Sequence, residues 1–119
     1  MATNGIKGLY VETRNYGETG AFWKSLGFNA VFETGHSGQW VHPDGGPYVF
    51  INEQQDPEQP LETHPVLGVA DAAAFAPERA VDWAKPFENE HWGESHAMIR
   101  DPDGRIYALQ APEMKDPNP

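Results

Sequence analysis

Short apolar runs broken by turn formers dominate this chain, and they occur in the same order twice. Ile6 to Thr13 reads as a strand, with apolar Ile6, Leu9 and Val11 beside the strand formers Tyr10 and Thr13. Asn15 offers a helix N-cap and Glu18 follows at a capping-box spacing. Ala21, Phe22, Trp23 and Leu26 then form a helical stripe that Gly27 ends, so the predicted helix covers roughly 17–26. Strand-like pieces follow at Ala30–Glu33, Gly38–His42 and Tyr48–Asn52, with the turn His42-Pro43-Asp44-Gly45-Gly46-Pro47 between the last two.

Residues 53–63 are acidic and proline-containing and read as a linker. The second half begins again with a strand at Val66–Val69 and a short helix from Ala72 to Ala76 that Pro77 stops. Strands are then expected at Val81–Phe87, Ser95–Arg100 and Arg105–Gln110. The last two are joined by Asp101-Pro102-Asp103-Gly104. Here Pro102 presets φ, Asp101 bonds nearby backbone and Gly104 accepts φ > 0, which makes a hairpin. A β-α-β-β-β order therefore repeats, with a shrunken second helix. The expected organisation is a single domain over 1–119, with a first module at about 5–53, the linker, a second module at about 64–112 and a loose tail at 113–119.

Composition narrows the function classes. A chain of 119 residues with 39% hydrophobic and 22% charged content fits one soluble domain with a sizeable core. No apolar run approaches the ~20 residues of a membrane span. The start lacks the basic-then-apolar pattern of a secretory signal. With no cysteine, thiol chemistry, disulfides and thiolate metal sites are excluded, which fits a cytoplasmic protein. Eighteen acids against eight Lys and Arg give a net charge of −10. Such a surface repels nucleic acid and attracts cations, although solubility alone accounts for it. No phosphate loop, Gly-x-Ser-x-Gly or Ser-x-x-Lys motif occurs. His91 and His96, with Glu90 and Glu94, are rich in donors. Residues five apart on a strand point to opposite faces, and these read as solvated side chains.

Two such modules in one chain resemble the vicinal oxygen chelate superfamily, the glyoxalase, bleomycin-resistance and extradiol-dioxygenase group. The resemblance runs from Gly5 to Pro112. It is carried by Thr13-Arg14-Asn15 leading into Ala21-Phe22-Trp23, by Leu26-Gly27-Phe28, by Trp92-Gly93, and by Asp101-Pro102-Asp103-Gly104 with Leu109 beyond. It implies an α+β fold in which two βαβββ modules form a cupped mixed sheet around a cleft, the second with a shortened helix, and a homodimer. Metal enzymes of the family carry ligands on the first strand of each module, seven residues before the helix-cap Asx. A further ligand lies on the last strand, seven after the Asp that opens the turn, and one at the end of the first module. Carried over, these positions are Gly8, approximately Phe50, His64 and Ala108. Only His64 offers a donor, whereas a divalent ion needs three or more. The expectation is a metal-free relative without cofactor.

The aromatic residues point further along the same resemblance. Trp92 resembles the tryptophan of the Trp-Gly pair in bleomycin-resistance proteins, which helps stack a flat ligand group, and His36 falls near their second stacking aromatic. Trp40 and Trp83 lie in strands and Trp23 on the helix, where core packing is the first reading; for Trp92, cleft and core are equally good readings. The implied function is sequestration of a planar antibiotic or metabolite, cationic if the acidic surface selects it, with no chemistry. The candidate ligand-binding residues are Trp92, His36, Trp40, His64, Glu33, Glu90, Phe50 and His96. Two alternatives stand beside it. One is a metal-independent lyase, isomerase or hydrolase with His64 or a Glu as general base. The other is a non-catalytic dimeric module that presents the acidic 53–62 loop to a protein partner.

Overall fold

The computed structural model describes residues 2–115. In chain order they form strand β1 (Ile6–Thr13), helix α1 (Tyr16–Ser25), β2 (Asn29–Glu33), β3 (Ser37–Val41), β4 (Tyr48–Glu53) and β5 (Thr63–Gly68). A 3-10 turn (Ala72–Ala74), β6 (Asp82–Asn89), β7 (Glu94–Arg100) and β8 (Ile106–Pro112) complete the series. The fold is α+β, with mixed pairing and one α-helix among the described residues.

The chain divides into two compact units. One is Lys7–Pro65, with strands in the order β2-β3-β4-β1; β1 runs parallel to β4, and the other pairs are antiparallel. The other unit runs from Val66 onward and includes the residues up to Ile6. Its order is β5-β8-β7-β6, with β5 parallel to β8 and antiparallel pairs beyond. In both units the first strand lies beside the fourth, so the repeat read from the sequence is a repeat of topology. Residues before β1 join the second unit through hydrogen bonds from Asn4 N to Gly68 O (2.7 Å) and from Gly68 N to Gly5 O (3.0 Å).

In the first unit, Asn15 is the N-cap: its Oδ1 accepts from Glu18 N at 3.1 Å, so α1 begins at Tyr16 and ends one residue before Leu26. Gly27 follows at φ 98°, the left-handed C′ position that L side chains resist. The helix seats Tyr16 and Gly20 against a core of Trp40, Val49 and Ile51, with Leu9, Val11 and Trp23 packed around it. Gly20 lets the Trp40 ring approach, since a Cβ there would lie 3.0 Å from Trp40 Cζ2. Ile51 is fully buried, a contribution of about 1.5–3 kcal/mol for a side chain of this size.

The second unit has only the 3-10 turn in place of a helix, capped by Asp71, whose Oδ1 accepts from Ala73 N at 3.0 Å. Its core is Val69, Ala72, Ala97, Leu109 and Ala111, with Phe75 and Phe87 packed against it. Phe75, Trp83 and Phe87 meet edge to face at 5.6–6.0 Å. The predicted hairpin is present. Asp101 Oδ1 accepts from Asp103 N and Arg105 N, both at 2.9 Å, and Oδ2 from Tyr107 Oη at 2.9 Å. Burial works against its charge, but these bonds and the Arg105 guanidinium hold the carboxyl down to about 2.

The largest boundary difference from the sequence reading is at the start of β5. β5 starts at Thr63 rather than Val66, because Glu12 N donates to Glu62 O at 2.8 Å and draws the end of the linker alongside β1. The linker is also tied: Arg14 donates to Asp56 O at 2.9 Å and to Gln59 O. Of the tail at 113–119, Met114 is held by Asn89 through bonds of 2.7 and 2.8 Å, and residues 116–119 lie outside the described residues.

Candidate functional site

Side chains alternate across a strand, and in the first unit that alternation separates two chemistries. Leu9 and Val11 of β1, with Val49 and Ile51 of β4, face α1. Gly8, Tyr10 and Glu12 occupy the other face, opposite Tyr48, Phe50 and Asn52 in register. Tyr10 is the centre of this second face. Its ring lies nearly parallel to Phe50 (centroids 6.4 Å apart, planes at 8°) and stacks on His64 from β5 (4.9 Å, 23°). Tyr10 Oη donates to Glu12 Oε2 at 2.9 Å and accepts from Asn52 Nδ2 at 3.2 Å. Glu12 Oε1 accepts from Glu62 N at 3.0 Å, and the Gln54 amide reaches both carboxylate oxygens at 3.4–3.5 Å.

These surroundings set the charges. Burial, with the Glu12 carboxylate adding to it against the Asn52 hydrogen bond, pushes the Tyr10 hydroxyl up to about 12. Burial lowers the His64 imidazole despite the nearby Glu62 and Glu12, so at neutral pH His64 is uncharged. The cluster is therefore a row of three flat rings edged by carboxylates.

The residues do not fit the ion that metal enzymes of this fold hold. Among Gly8, Phe50, His64 and Ala108, only His64 has a donor atom. The place a side chain at Gly8 would occupy is filled by the Tyr48 ring, whose Cδ1 would lie 2.6 Å from an added Cβ. Among the described residues no three His, Asp or Glu side chains assemble as a metal-holding group.

The second unit gathers a different group. Trp92, half exposed in the turn that Gly93 closes at φ 89°, meets His91 and His96 edge to face at 5.1 and 6.0 Å. Glu90 Oε1 lies 2.6 Å from Lys85 Nζ and 4.0 Å from His96 Nδ1. The Lys85 ammonium holds the Glu90 carboxyl below its ordinary range, and this carboxylate has a cation already.

Of the residues singled out from sequence, Phe50 and His64 each stack on Tyr10 in the first unit, and Trp92 and Glu90 each approach His96 in the second. Trp40 and Glu33 lie on the α1 side of the first unit, joined through one phenol: Tyr16 Oη accepts from Trp40 Nε1 at 3.1 Å and donates to Glu33 Oε2 at 2.7 Å. Trp40 is 5% exposed and is a core residue. His36 is exposed in the β2–β3 turn, where its carbonyl accepts from Glu53 N at 2.8 Å. Sequence reasoning missed Tyr10, Glu12 and Asn52. The signal was present in the two-residue alternation of Gly8, Tyr10 and Glu12 against Leu9 and Val11.

Solved structures with TM-scores of 0.66 and 0.67 share the fold. The chain resembles a protein from Legionella pneumophila described as an NAD-dependent benzaldehyde dehydrogenase, with a TM-score of 0.67 and 11% identity over 88% of this chain and 97% of that one. It also resembles a glyoxalase/bleomycin resistance protein/dioxygenase superfamily member from Vibrio splendidus 12B01, with a TM-score of 0.66 and 13% identity over 87% and 96%. A bleomycin-binding protein complexed with bleomycin matches more loosely, at a TM-score of 0.35 and 22% identity over 87% and 95%. No family model and no curated protein sequence matches the chain. At these identities the likeness shows the fold alone. That fold is the vicinal oxygen chelate fold.

Proposed function

We propose that this protein binds and sequesters a planar, cationic small molecule, without a metal ion and without altering it. The observation that carries the reading is the row of Tyr10, Phe50 and His64 on the sheet face opposite α1. Offset ring stacking contributes about 0.5–1.5 kcal/mol per pair beyond area burial, and aromatic faces attract cations. Glu12 and Glu62 beside the rings and a net charge of −10 favour a cation over an anion. In the second unit, considered by itself, the half-exposed Trp92 with His96 beside it offers a separate flat ring. We take the protein to be a cytoplasmic homodimer; exposed Phe22, Val31 and Phe32 support association.

The test is tryptophan fluorescence titration with planar cations, followed by recovery of the ligand. Binding with the ligand returned unchanged is the expected result. Phe50→Ala, which removes one ring of the row, is expected to weaken binding by about 1–3 kcal/mol. Absence of binding to any planar cation would overturn the reading. A second reading rests on His64 itself, an uncharged buried imidazole of the kind a general base requires. A ligand recovered chemically altered, with that turnover lost in His64→Ala, would establish it instead.

A further inference from the structure

The polar groups around Tyr10 are nearly all spent on one another. The Tyr10 hydroxyl donates to Glu12 and accepts from Asn52. Glu12 accepts from Tyr10, from the Gln54 amide and from Glu62 N, and Gln54 Oε1 accepts from Asp56 N at 3.0 Å. His64 is the exception. Its residue is 4% exposed, yet none of the described residues hydrogen-bonds either imidazole nitrogen, and its contact is the stack on Tyr10. A buried polar group without a partner is rare in a folded chain and calls for one. Neither imidazole nitrogen is fully enclosed without a partner, as the Ser95 hydroxyl is.

We propose that His64 is the hydrogen-bond anchor of the site, its imidazole nitrogen accepting an N–H from a planar cation of the aminoheteroarene or amidine class. The inference rests on the sequestration reading above and names the ligand group that the site selects. An anionic ligand, which would use the imidazole as a donor, meets the Glu12 and Glu62 carboxylates. A flat cation without N–H stacks equally well but leaves the nitrogen unpaired, and a site with an unmet polar group discriminates strongly against such a ligand.

The experiment compares three probes on the full chain by fluorescence titration: 9-aminoacridine, 10-methylacridinium and 9-anthracenecarboxylate. The first two share ring and charge, and only the first carries N–H. We expect 9-aminoacridine to bind about tenfold tighter than 10-methylacridinium, the factor that about 1.4 kcal/mol of hydrogen bonding gives. In His64→Phe, which keeps a flat ring on Tyr10, the tenfold preference for 9-aminoacridine over 10-methylacridinium should disappear. Equal affinity of both cations for the unaltered protein overturns the anchor and leaves sequestration standing. Preferential binding of the carboxylate, or of no probe, overturns both. Should His64→Phe fail to fold, the His64 ring resonances of the unaltered protein give the answer: they shift with 9-aminoacridine beyond any shift with 10-methylacridinium, or the anchor is wrong.

Discussion

His64 carries a pH signature that can be read without any ligand. Its folded value lies below the ordinary 6.5, with burial as the leading cause. Between the two values the unfolded chain binds more protons than the folded one, so stability falls as pH drops through that window and is fully present above it. Denaturant titrations at about pH 8 and about pH 5 should show this acid loss. His64→Phe should make it shallower, and an unchanged slope would mean that the imidazole is better solvated than its surroundings imply. Tyr10 shows the reverse arrangement, a neutral phenol fixed between Glu12 and Asn52. Its role was hidden in the sequence because a tyrosine in a strand is ordinary. Only the parity of β1, with Leu9 and Val11 turned toward α1, reveals which face it occupies.

The local signals of the elements were legible. The Asn15 cap, the Gly27 stop and the Asp101–Gly104 hairpin lie where turn and cap chemistry put them, because each is decided within a few residues. The start of β5 was not, since it is set by Glu12 pairing with Glu62 from fifty positions away. The placement of Trp40 and Glu33 was equally opaque. Both are fixed by the Tyr16 phenol, a contact that exists only after α1 has packed on the sheet. β3 depends on the same contact. Gly38 lies against Tyr16 Oη, and an added Cβ would come 2.9 Å from the Phe32 carbonyl oxygen. Gly38→Ala should therefore destabilise the protein by about 1–3 kcal/mol, the range for overpacking a tight site. Chemical denaturation measures this, and a neutral result would show that β2 and β3 separate more readily than their pairing indicates.

For the whole molecule, the excess of acids acts at longer range than any single contact. With a net charge of −10, the affinity for 9-aminoacridine should fall severalfold as salt rises from about 0.01 M to about 0.1 M, where the screening length shrinks from about 30 Å to about 10 Å. A neutral planar ligand should show no such loss. If both behave alike, the surface charge serves solubility and only the stacked rings and their hydrogen bonds select the ligand. The two units share a strand order but differ in what covers the sheet, a helix in one and a 3-10 turn with three aromatic rings in the other.

The Tyr48 ring over Gly8 acts as a ratchet. Gly8→His alone would drive its imidazole into that ring, and cutting back Tyr48 alone would leave a void above bare backbone. Either step by itself is a loss, and donors would still be wanting at Phe50 and Ala108. Ion-dependent catalysis therefore lies more than one substitution away from this chain.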